Sequence, residues 1–99
     1  MIQVKTSELM GAALDWAVSQ IEHKGHFVAD WHRYSSDWSQ GGPIIERERL
    51  EIHNAANNEW AAHAEFQVYG IGKTPLIAAM RCYVASRLGD VVEIPEELI

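Results

Sequence analysis

Alternating apolar and polar residues in the middle of the chain constrain its fold more than any other sequence feature. Leu50 and Ile52 alternate with polar neighbours, and the longer run 60–68 alternates in the same way. Because successive side chains of a strand point to opposite faces, both runs predict strands with one apolar face. Asn57 and Asn58, which tolerate positive φ, lie between the runs and predict a tight connection. An antiparallel hairpin is therefore expected.

The pairing register of this hairpin follows from its apolar faces. A slip of one residue would turn every side chain to the other face, so the apolar faces coincide only when paired residue numbers sum to an even value such as 112 or 114. Either register places Glu65 opposite an arginine, Arg47 or Arg49, as a modest cross-strand pair. His53 and His63 alternate onto the other face, which is expected to face solvent.

The N-terminal part of the chain predicts a short strand and a long helix. Residues 2–5 alternate apolar and polar residues, which favours an edge strand. Thr6 or Ser7 is the expected N-cap of a helix over residues 9–23, where apolar residues recur at three- and four-residue steps. A second short strand is predicted at residues 26–29.

The C-terminal part predicts a second long helix. Thr74 is its expected N-cap, Pro75 its first residue and Gly89 its end in the αL conformation. The acidic tail still carries apolar residues, so it is expected to dock as an extended piece with a last turn after Pro95. The expected buried stripe of the helix comprises Leu76, Ile77, Met80, Tyr83, Val84 and Leu88.

This order of elements predicts the α+β class. A small antiparallel sheet of three or four strands needs helices to cover its apolar face, so both long helices are expected to pack on it, on one face or on opposite faces. The 99 residues contain no repeat, low-complexity run or linker, which predicts a single domain over residues 1–99.

Composition and charge exclude several classes of protein. With 8 Lys and Arg against 14 Asp and Glu, the net charge of −6 repels nucleic-acid backbones and makes duplex nucleic acid an unfavourable partner. We expect no secretory signal and no membrane span, because no apolar run is long enough. The single cysteine, Cys82, excludes an internal disulfide and fits a reducing, intracellular compartment.

Residues 30–42 are the best local candidate for a binding segment. They show no clear period, so we expect a long loop with a short helix that starts near Ser35 or Ser36 and continues past Pro43. A long loop in a small domain commonly binds something. Its tryptophans serve either as large core side chains or as binding anchors. The candidate ligand- or partner-binding residues are Trp31, Arg33, Tyr34, Asp37, Trp38, Arg47 and Lys73.

The three aromatic residues of this set are the expected anchors, and the basic residues are the expected contacts of a negative group. Arg33 or Arg47 would bind that group, while Lys73 lies beside the N-terminus of the second long helix, where an anion is favoured. Most lysines in such a position are simply solvated. The alternating acidic and basic residues around Arg47 equally fit a solvated stretch with internal charge pairing.

Motifs for catalysis or metal binding are incomplete. The chain has five histidines but no second cysteine and no His-Glu-x-x-His helix, so we predict neither a metal nor a cofactor. His32, Ser35 and Asp37 have the residue types of a hydrolytic triad without a nucleophile elbow. Residues 70–74 resemble the end of a phosphate-binding loop, but Gln67 stands where its first glycine is required.

Three blocks of sequence carry a resemblance to a known family. The blocks are Lys5–Val18, Tyr34–Glu48 and Thr74–Ser86, the last followed by Leu88-Gly89-Asp90. Together they resemble the NinX-like family of phage and prophage proteins, in order and over almost the whole chain. The same pattern is similar to that of small phage domains described as an α-β-α sandwich, which implies helices on opposite faces of the sheet.

The resemblance implies a phage accessory protein in the cytoplasm of an infected or lysogenic bacterium, without implying an activity. We expect a non-enzymatic binding module, used in counter-defence, that binds a host protein or sequesters a small anionic, nucleotide-like ligand. A homo-oligomer, dimer or tetramer, is expected. The alternatives are a small hydrolase and a purely structural oligomeric protein.

Overall fold

The computed structural model describes residues 1–24, 32–65 and 68–99. Short 3₁₀ turns accompany the regular elements at Thr6–Glu8, Ala56–Asn58 and Glu96–Leu98. The helices and strands of these parts are β1 (Ile2–Lys5), α1 (Gly11–Glu22), α2 (Trp38–Glu48), β2 (Glu51–Asn54), β3 (Trp60–His63), β4 (Tyr69–Gly72), α3 (Pro75–Leu88) and β5 (Val91–Ile94). The strand predicted at residues 26–29 lies outside the described residues.

The strands form two antiparallel sheets where one was expected. One sheet has the order β2-β3-β4, and the other pairs β1 with β5. In the two-stranded sheet Ile2 lies opposite Ile94 and Lys5 opposite Val91. The predicted α+β class is confirmed, as are the N-terminal strand and the docking of the tail as an extended piece followed by a turn after Pro95.

The predicted hairpin register is confirmed. Ile52 pairs with Ala62 and Glu51 with His63, so paired residue numbers sum to 114. Asn57 and Asn58 adopt φ values of 61° and 60°, the left-handed region that the tight connection needs. Apolar alternation therefore determined this register correctly, because the paired residues Ile52 and Ala62 lie on the face of the sheet that packs against α3.

The longer predicted strand ends early, at His63. The backbone N–H of Ala64 donates to the carbonyl of Val68, at 2.7 Å, and the chain returns as β4. The expected pair of Glu65 with an arginine is wrong. Pairing between β2 and β3 stops at Glu51 and His63, and Arg49 ends α2 in the αL conformation.

Strand β4 was not predicted because glycine weakens strands. Its two glycines allow α3 to approach closely. A Cβ atom on Gly70 would lie 2.5 Å from the backbone nitrogen of Cys82, and one on Gly72 would lie 2.6 Å from Cγ2 of Ile77. The packing of α3 on the sheet thus explains a strand that its own propensity does not favour.

The starts of the first two helices differ from prediction. Thr6 does not cap α1. It lies in a 3₁₀ turn, and its hydroxyl donates to the carbonyl of Gly89, at 2.6 Å, while α1 begins after Met10. Helix α2 begins at Trp38 and includes Pro43, so the expected long loop ends at Asp37.

Helix α3 lies at the centre of the described parts. It contacts all three strands of the larger sheet and also α1 and α2, so a helix occupies the middle layer that a sandwich assigns to a sheet. Leu88, expected in the buried stripe, is 43% exposed. Gly89 has a positive φ of 89°, but its ψ of −166° lies outside αL. The buried residues of α3 are Leu76, Ala78, Ala79, Met80, Cys82, Tyr83 and Val84.

Candidate functional site

Helices α2 and α3 lie side by side and run in the same direction. Near their first turns Gly41 packs on Leu76, because a Cβ atom on Gly41 would lie 2.6 Å from Cδ2 of Leu76. At their last turns Nη2 of Arg87 donates to Oε1 of Glu48, at 2.6 Å. Both helix N-termini, with their partial positive charge, therefore lie at one end of this helix pair. We call the end of the helix pair that holds both helix N-termini the N-terminal end, and the opposite end of the pair the C-terminal end.

Asp37 organises the N-terminal end of the helix pair. Its Oδ1 accepts hydrogen bonds from the backbone N–H of Ser39, at 2.9 Å, and from the Ser39 hydroxyl, at 2.6 Å. Its Oδ2 accepts from the amide of Gln40. The bonds from Ser39 hold the pKa of Asp37 below its usual range. The carboxylate, predicted as a ligand contact, thus serves as the N-cap of α2.

Trp38 is the exposed aromatic residue of the N-terminal end. It is the first residue of α2 and remains 55% exposed, with Cε3 close to Gly42. Trp16 and Trp60, in contrast, pack against the hydrophobic core. Core packing therefore accounts for Trp16 and Trp60 but not for Trp38. Trp31, also predicted as an anchor, lies outside the described residues.

Two basic residues also belong to the N-terminal end. Arg33 is exposed, and its backbone N–H donates to Oε1 of Gln40, at 2.7 Å, which ties the segment before α2 to that helix. Lys73 is exposed and precedes Thr74, whose hydroxyl caps α3 by accepting from the N–H of Ile77 at 3.1 Å. The predicted cap and the predicted first residue of α3 are both confirmed. Arg33, Trp38 and Lys73 thus all belong to the N-terminal end of the helix pair.

Tyr34 supports the N-terminal end from inside. It is buried, and its carbonyl is in close contact with Gly41. Its ring stacks on His32, which stacks on His23, with centroid separations of 5.0 and 5.1 Å. Burial, together with the charges of nearby carboxylates, raises the pKa of Tyr34. Tyr34 therefore contributes packing, and its ring is not presented to a partner.

Among the described residues, hydrogen bonds do not connect His32, Ser35 and Asp37, the three residues with the types of a hydrolytic triad. Ser35 is buried, and its backbone N–H donates to Oδ1 of Asp15, at 2.8 Å. Asp37 is engaged in the helix cap, and Nε2 of His32 has no hydrogen-bond partner among the described residues. No hydrogen bond in the described parts connects His32 to Ser35 or to Asp37. The arrangement lacks the base-to-nucleophile contact that the chemistry requires.

Arg47 organises the C-terminal end of the helix pair. Its guanidinium donates to both carboxylate oxygens of Glu22, at 3.0 and 2.8 Å, and to Glu48, at 2.8 Å. The hydroxyl of Tyr83 donates to Glu22 and accepts from Arg47. The guanidinium groups of Arg47 and Arg87 lie 5.8 and 5.2 Å from the Tyr83 ring centroid. We call these five residues the ion network, which connects α1, α2 and α3.

The ion network shifts the ionisation of its members. Hydrogen bonds from Arg47 are the main reason why the pKa values of Glu22 and Glu48 are lowered, and the same bonds raise the pKa of Arg47. Burial raises the pKa of the Tyr83 hydroxyl, and its bond to Glu22 raises it further. Because carboxylates already occupy the donors of Arg47, its position favours a structural role over the predicted contact with an anion.

Sequence reasoning did not find the partners of this network. Glu22 lies 25 residues from Arg47, and Tyr83 lies 36 residues from it. Such separations leave no local pattern in the sequence. The alternation of acidic and basic residues around Arg47 indicated internal charge pairing, and the contact with Glu48 is of that kind.

Other groups in the described parts offer less chemistry. A shallow cavity of about 260 Å³ beside β4 is lined in part by Glu59, Arg81 and Asp90. Arg81 donates to the carbonyls of Leu9 and Ile71, both at 2.8 Å, so it serves as a structural brace. Among the described residues no cluster of three or more His, Cys, Asp or Glu is placed to hold a metal ion. Within the same ranges no helix is long and apolar enough to cross a membrane.

Comparison with known sequences identifies the family. The chain matches the family described as Bacteriophage P22, NinX over residues 5–87, and it belongs to that family. The resemblance noted from three sequence blocks is thereby confirmed, and the protein is a phage accessory protein. No significant match exists among curated proteins. The matched range includes both ends of the helix pair.

Proposed function

We propose that this phage accessory protein is a non-enzymatic binding module that contacts a host protein through the N-terminal end of its helix pair. The observation that carries the proposal is the half-exposed ring of Trp38 at the first position of a helix. Tryptophan is enriched at the centre of protein interfaces, where a single ring can dominate the binding energy. A ring that the fold itself does not bury is well placed for that purpose.

The distribution of charge also favours the N-terminal end of the helix pair as the binding surface. The protein carries a net charge of −6, but Arg33, Lys73 and two helix N-termini add positive charge at the end of the helix pair that carries Trp38, offset in part by Asp37. Charge complementarity favours a partner that presents acidic groups around an apolar contact. We expect the partner to place a hydrophobic side chain against Trp38 and carboxylates near the two basic residues.

Family membership supports the biological setting. We propose that the protein acts in the cytoplasm of the infected or lysogenic bacterium and that its partner takes part in host defence. The unjoined side chains of His32, Ser35 and Asp37 support binding over hydrolysis. We also propose a homo-oligomer, dimer or tetramer, which would present several copies of Trp38 and strengthen binding by multivalency.

A small anionic ligand such as a nucleotide is the second candidate. The observation that favours it is the presence of the Trp38 ring at the same end as Arg33 and Lys73, since a base stacks on an indole and a phosphate pairs with cations. In a single chain the ring is half exposed, so retention of a small ligand would require a second copy of the chain to cover it.

Native mass spectrometry of the protein purified gently from a bacterial host separates the two candidates. A complex with a stoichiometric host protein supports the first candidate. An excess of a few hundred daltons over an integer number of chains supports the second. Clean homo-oligomer masses, with no partner retained at any salt concentration, would contradict both candidates and favour a structural oligomer.

Substitution then tests the surface itself. Trp38→Ala should weaken the complex found by mass spectrometry at least about 30-fold, as expected for the loss of a hot-spot residue. Leu88→Ala is the matched control, because Leu88 is an exposed apolar residue at the other end of the helix pair. Equal affinities for the two variants, measured by titration calorimetry on folded proteins, would rule out Trp38 as the anchor.

A further inference from the structure

The outer face of the three-stranded sheet carries a row of histidine and tyrosine side chains. Ala62 and Gly70 face α3, so the alternation of the strands turns His53, His63 and Tyr69 to the opposite side. Tyr69 is 59% exposed, His53 is exposed and His63 is half-buried. This face is distinct from both ends of the helix pair.

The two imidazoles of this face lie in direct contact. The rings of His53 and His63 stack with a centroid separation of 4.7 Å and an angle of 12° between their planes. Their Nε2 atoms are 3.4 Å apart, and each has the other as its hydrogen-bonding neighbour. The hairpin ladder fixes the two backbones, and the ring of Tyr69 lies 5.8 Å from that of His63.

This separation matches the spacing of two ligands on one metal ion. Zinc binds imidazole nitrogen at about 2.0–2.1 Å in tetrahedral geometry, which places two such nitrogens about 3.4 Å apart. From this match we propose that His53 and His63 form a site for one divalent transition-metal ion per chain. The donor set, two neutral imidazoles, selects ions such as Zn²⁺ and Co²⁺ over Mg²⁺ and Ca²⁺, which prefer oxygen ligands.

Rotation of the side chains completes the site. Because the ring planes are nearly parallel, the two rings have to rotate in opposite senses to direct both Nε2 lone pairs to a shared ion, and His53 is exposed, which leaves it room to do so. Glu51 lies opposite His63 in the ladder and on the same face, so its carboxylate adds negative potential for a cation. Water completes the coordination, since two protein ligands leave positions open.

The test uses the full chain without an affinity tag, stripped of metal by a chelator. Titration calorimetry with Zn²⁺ should give one ion per chain, and Co²⁺ should produce the visible absorption of a nitrogen-ligated ion. His53→Gln and His63→Gln should each weaken Zn²⁺ binding at least about tenfold, the low end of what even outer-shell changes cost. His23→Gln, which removes an imidazole elsewhere, should bind as the unsubstituted protein does.

Side-chain NMR identifies the ligands directly. Adding Zn²⁺ should shift the imidazole resonances of His53 and His63 and leave those of His23 in place. Unchanged affinity in both ligand variants, absence of Zn²⁺ uptake, or one ion per two chains would each overturn the proposal. Both ligand positions lie on the outer face of the sheet, so the variants are expected to fold, and circular dichroism checks this.

Discussion

The two ends of the α2–α3 helix pair use polar residues in opposite ways. At the C-terminal end, Arg47 donates to the carboxylates of Glu22 and Glu48, and Arg87 also donates to Glu48, so charges from three helices satisfy one another. At the N-terminal end, Asp37 serves its own helix while Trp38 and Arg33 extend into solvent. The comparison places a stabilising network at one end and supports the proposed binding surface at the other.

The adjacent glycines of α2 give the largest expected effect, and they test which face of α2 is packed at the N-terminal end and which face is open. A Cβ atom on Gly41 would meet the Tyr34 carbonyl and the Leu76 side chain, whereas one on Gly42 would make only ordinary contact with Trp38. Gly41→Ala should therefore destabilise the protein by about 3 kcal/mol. Gly42→Ala should stabilise it by about 0.5–1 kcal/mol, because alanine favours a helix interior.

Thermal unfolding of the two alanine variants measures this contrast. At about 4–8 °C per kcal/mol for a domain of this size, the melting temperatures should move in opposite directions. Similar melting temperatures would show that α2 does not approach α3 as closely as Gly41 indicates.

Replacing one arginine at each end sharpens the comparison. Arg47→Met keeps the aliphatic stem but leaves Glu22 with fewer donors, which should cost about 1 kcal/mol after allowance for solvent screening. Arg33→Met should change the free energy of unfolding by less than about 0.5 kcal/mol, since its side chain is exposed. Urea denaturation measures both values, and a larger loss for Arg33→Met would reverse the assignment of the ends.

The pH dependence of stability should depend on the C-terminal end. Hydrogen bonds from Arg47 lower the pKa values of Glu22 and Glu48 in the folded protein relative to the ordinary value of 4.5. A group whose pKa is lower in the folded state stabilises the protein at pH values above its unfolded-state pKa. This stability is lost as the pH falls through the folded-state pKa. The melting temperature should therefore fall below about pH 5. The fall should be shallower in Arg47→Met, and equal slopes would contradict the network.

A small effect on stability is also expected for Trp38. Because its ring is half exposed, Trp38→Ala should change the free energy of unfolding by less than about 1 kcal/mol, although it removes the proposed anchor. Trp60→Ala, in a residue packed against the core, should cost several times more. If Trp38→Ala proved as destabilising as Trp60→Ala in denaturant titrations, the Trp38 ring would be part of the core and not a binding anchor.

Local chemistry explains which parts of the fold could be predicted. Thr74 and Pro75 specify a helix start by themselves, and alternation around Ile52 specifies a strand register. Helix α2 was predicted only in outline, because its glycines and Pro43 disfavour a helix in isolation. Gly41 becomes favourable only when Leu76 packs against it, and a sequence does not display that contact.

The candidate site, too, could be predicted only where its residues lie close together in the sequence. Trp38 and Arg33 could be selected because aromatic and basic residues lie close together in an irregular segment. Arg47 was predicted as a contact for a negative group, but its role depends on Glu22 and Tyr83, which reach it through tertiary packing. The contact between His53 and His63 depends on the hairpin register, which the sequence predicted, and on side-chain rotamers, which it did not.

The pairing of β1 with β5 has a consequence for the timing of folding in the cell. Lys5 pairs with Val91, and the backbone N–H of Thr6 donates to the carbonyl of Asp90, so the first strand has its partner more than eighty residues later in the chain. A ribosome that adds about 5–20 residues per second leaves β1 without this partner for on the order of 10 s. The two-stranded sheet can close only after translation has passed β5, which makes its formation a late step in the biogenesis of the protein.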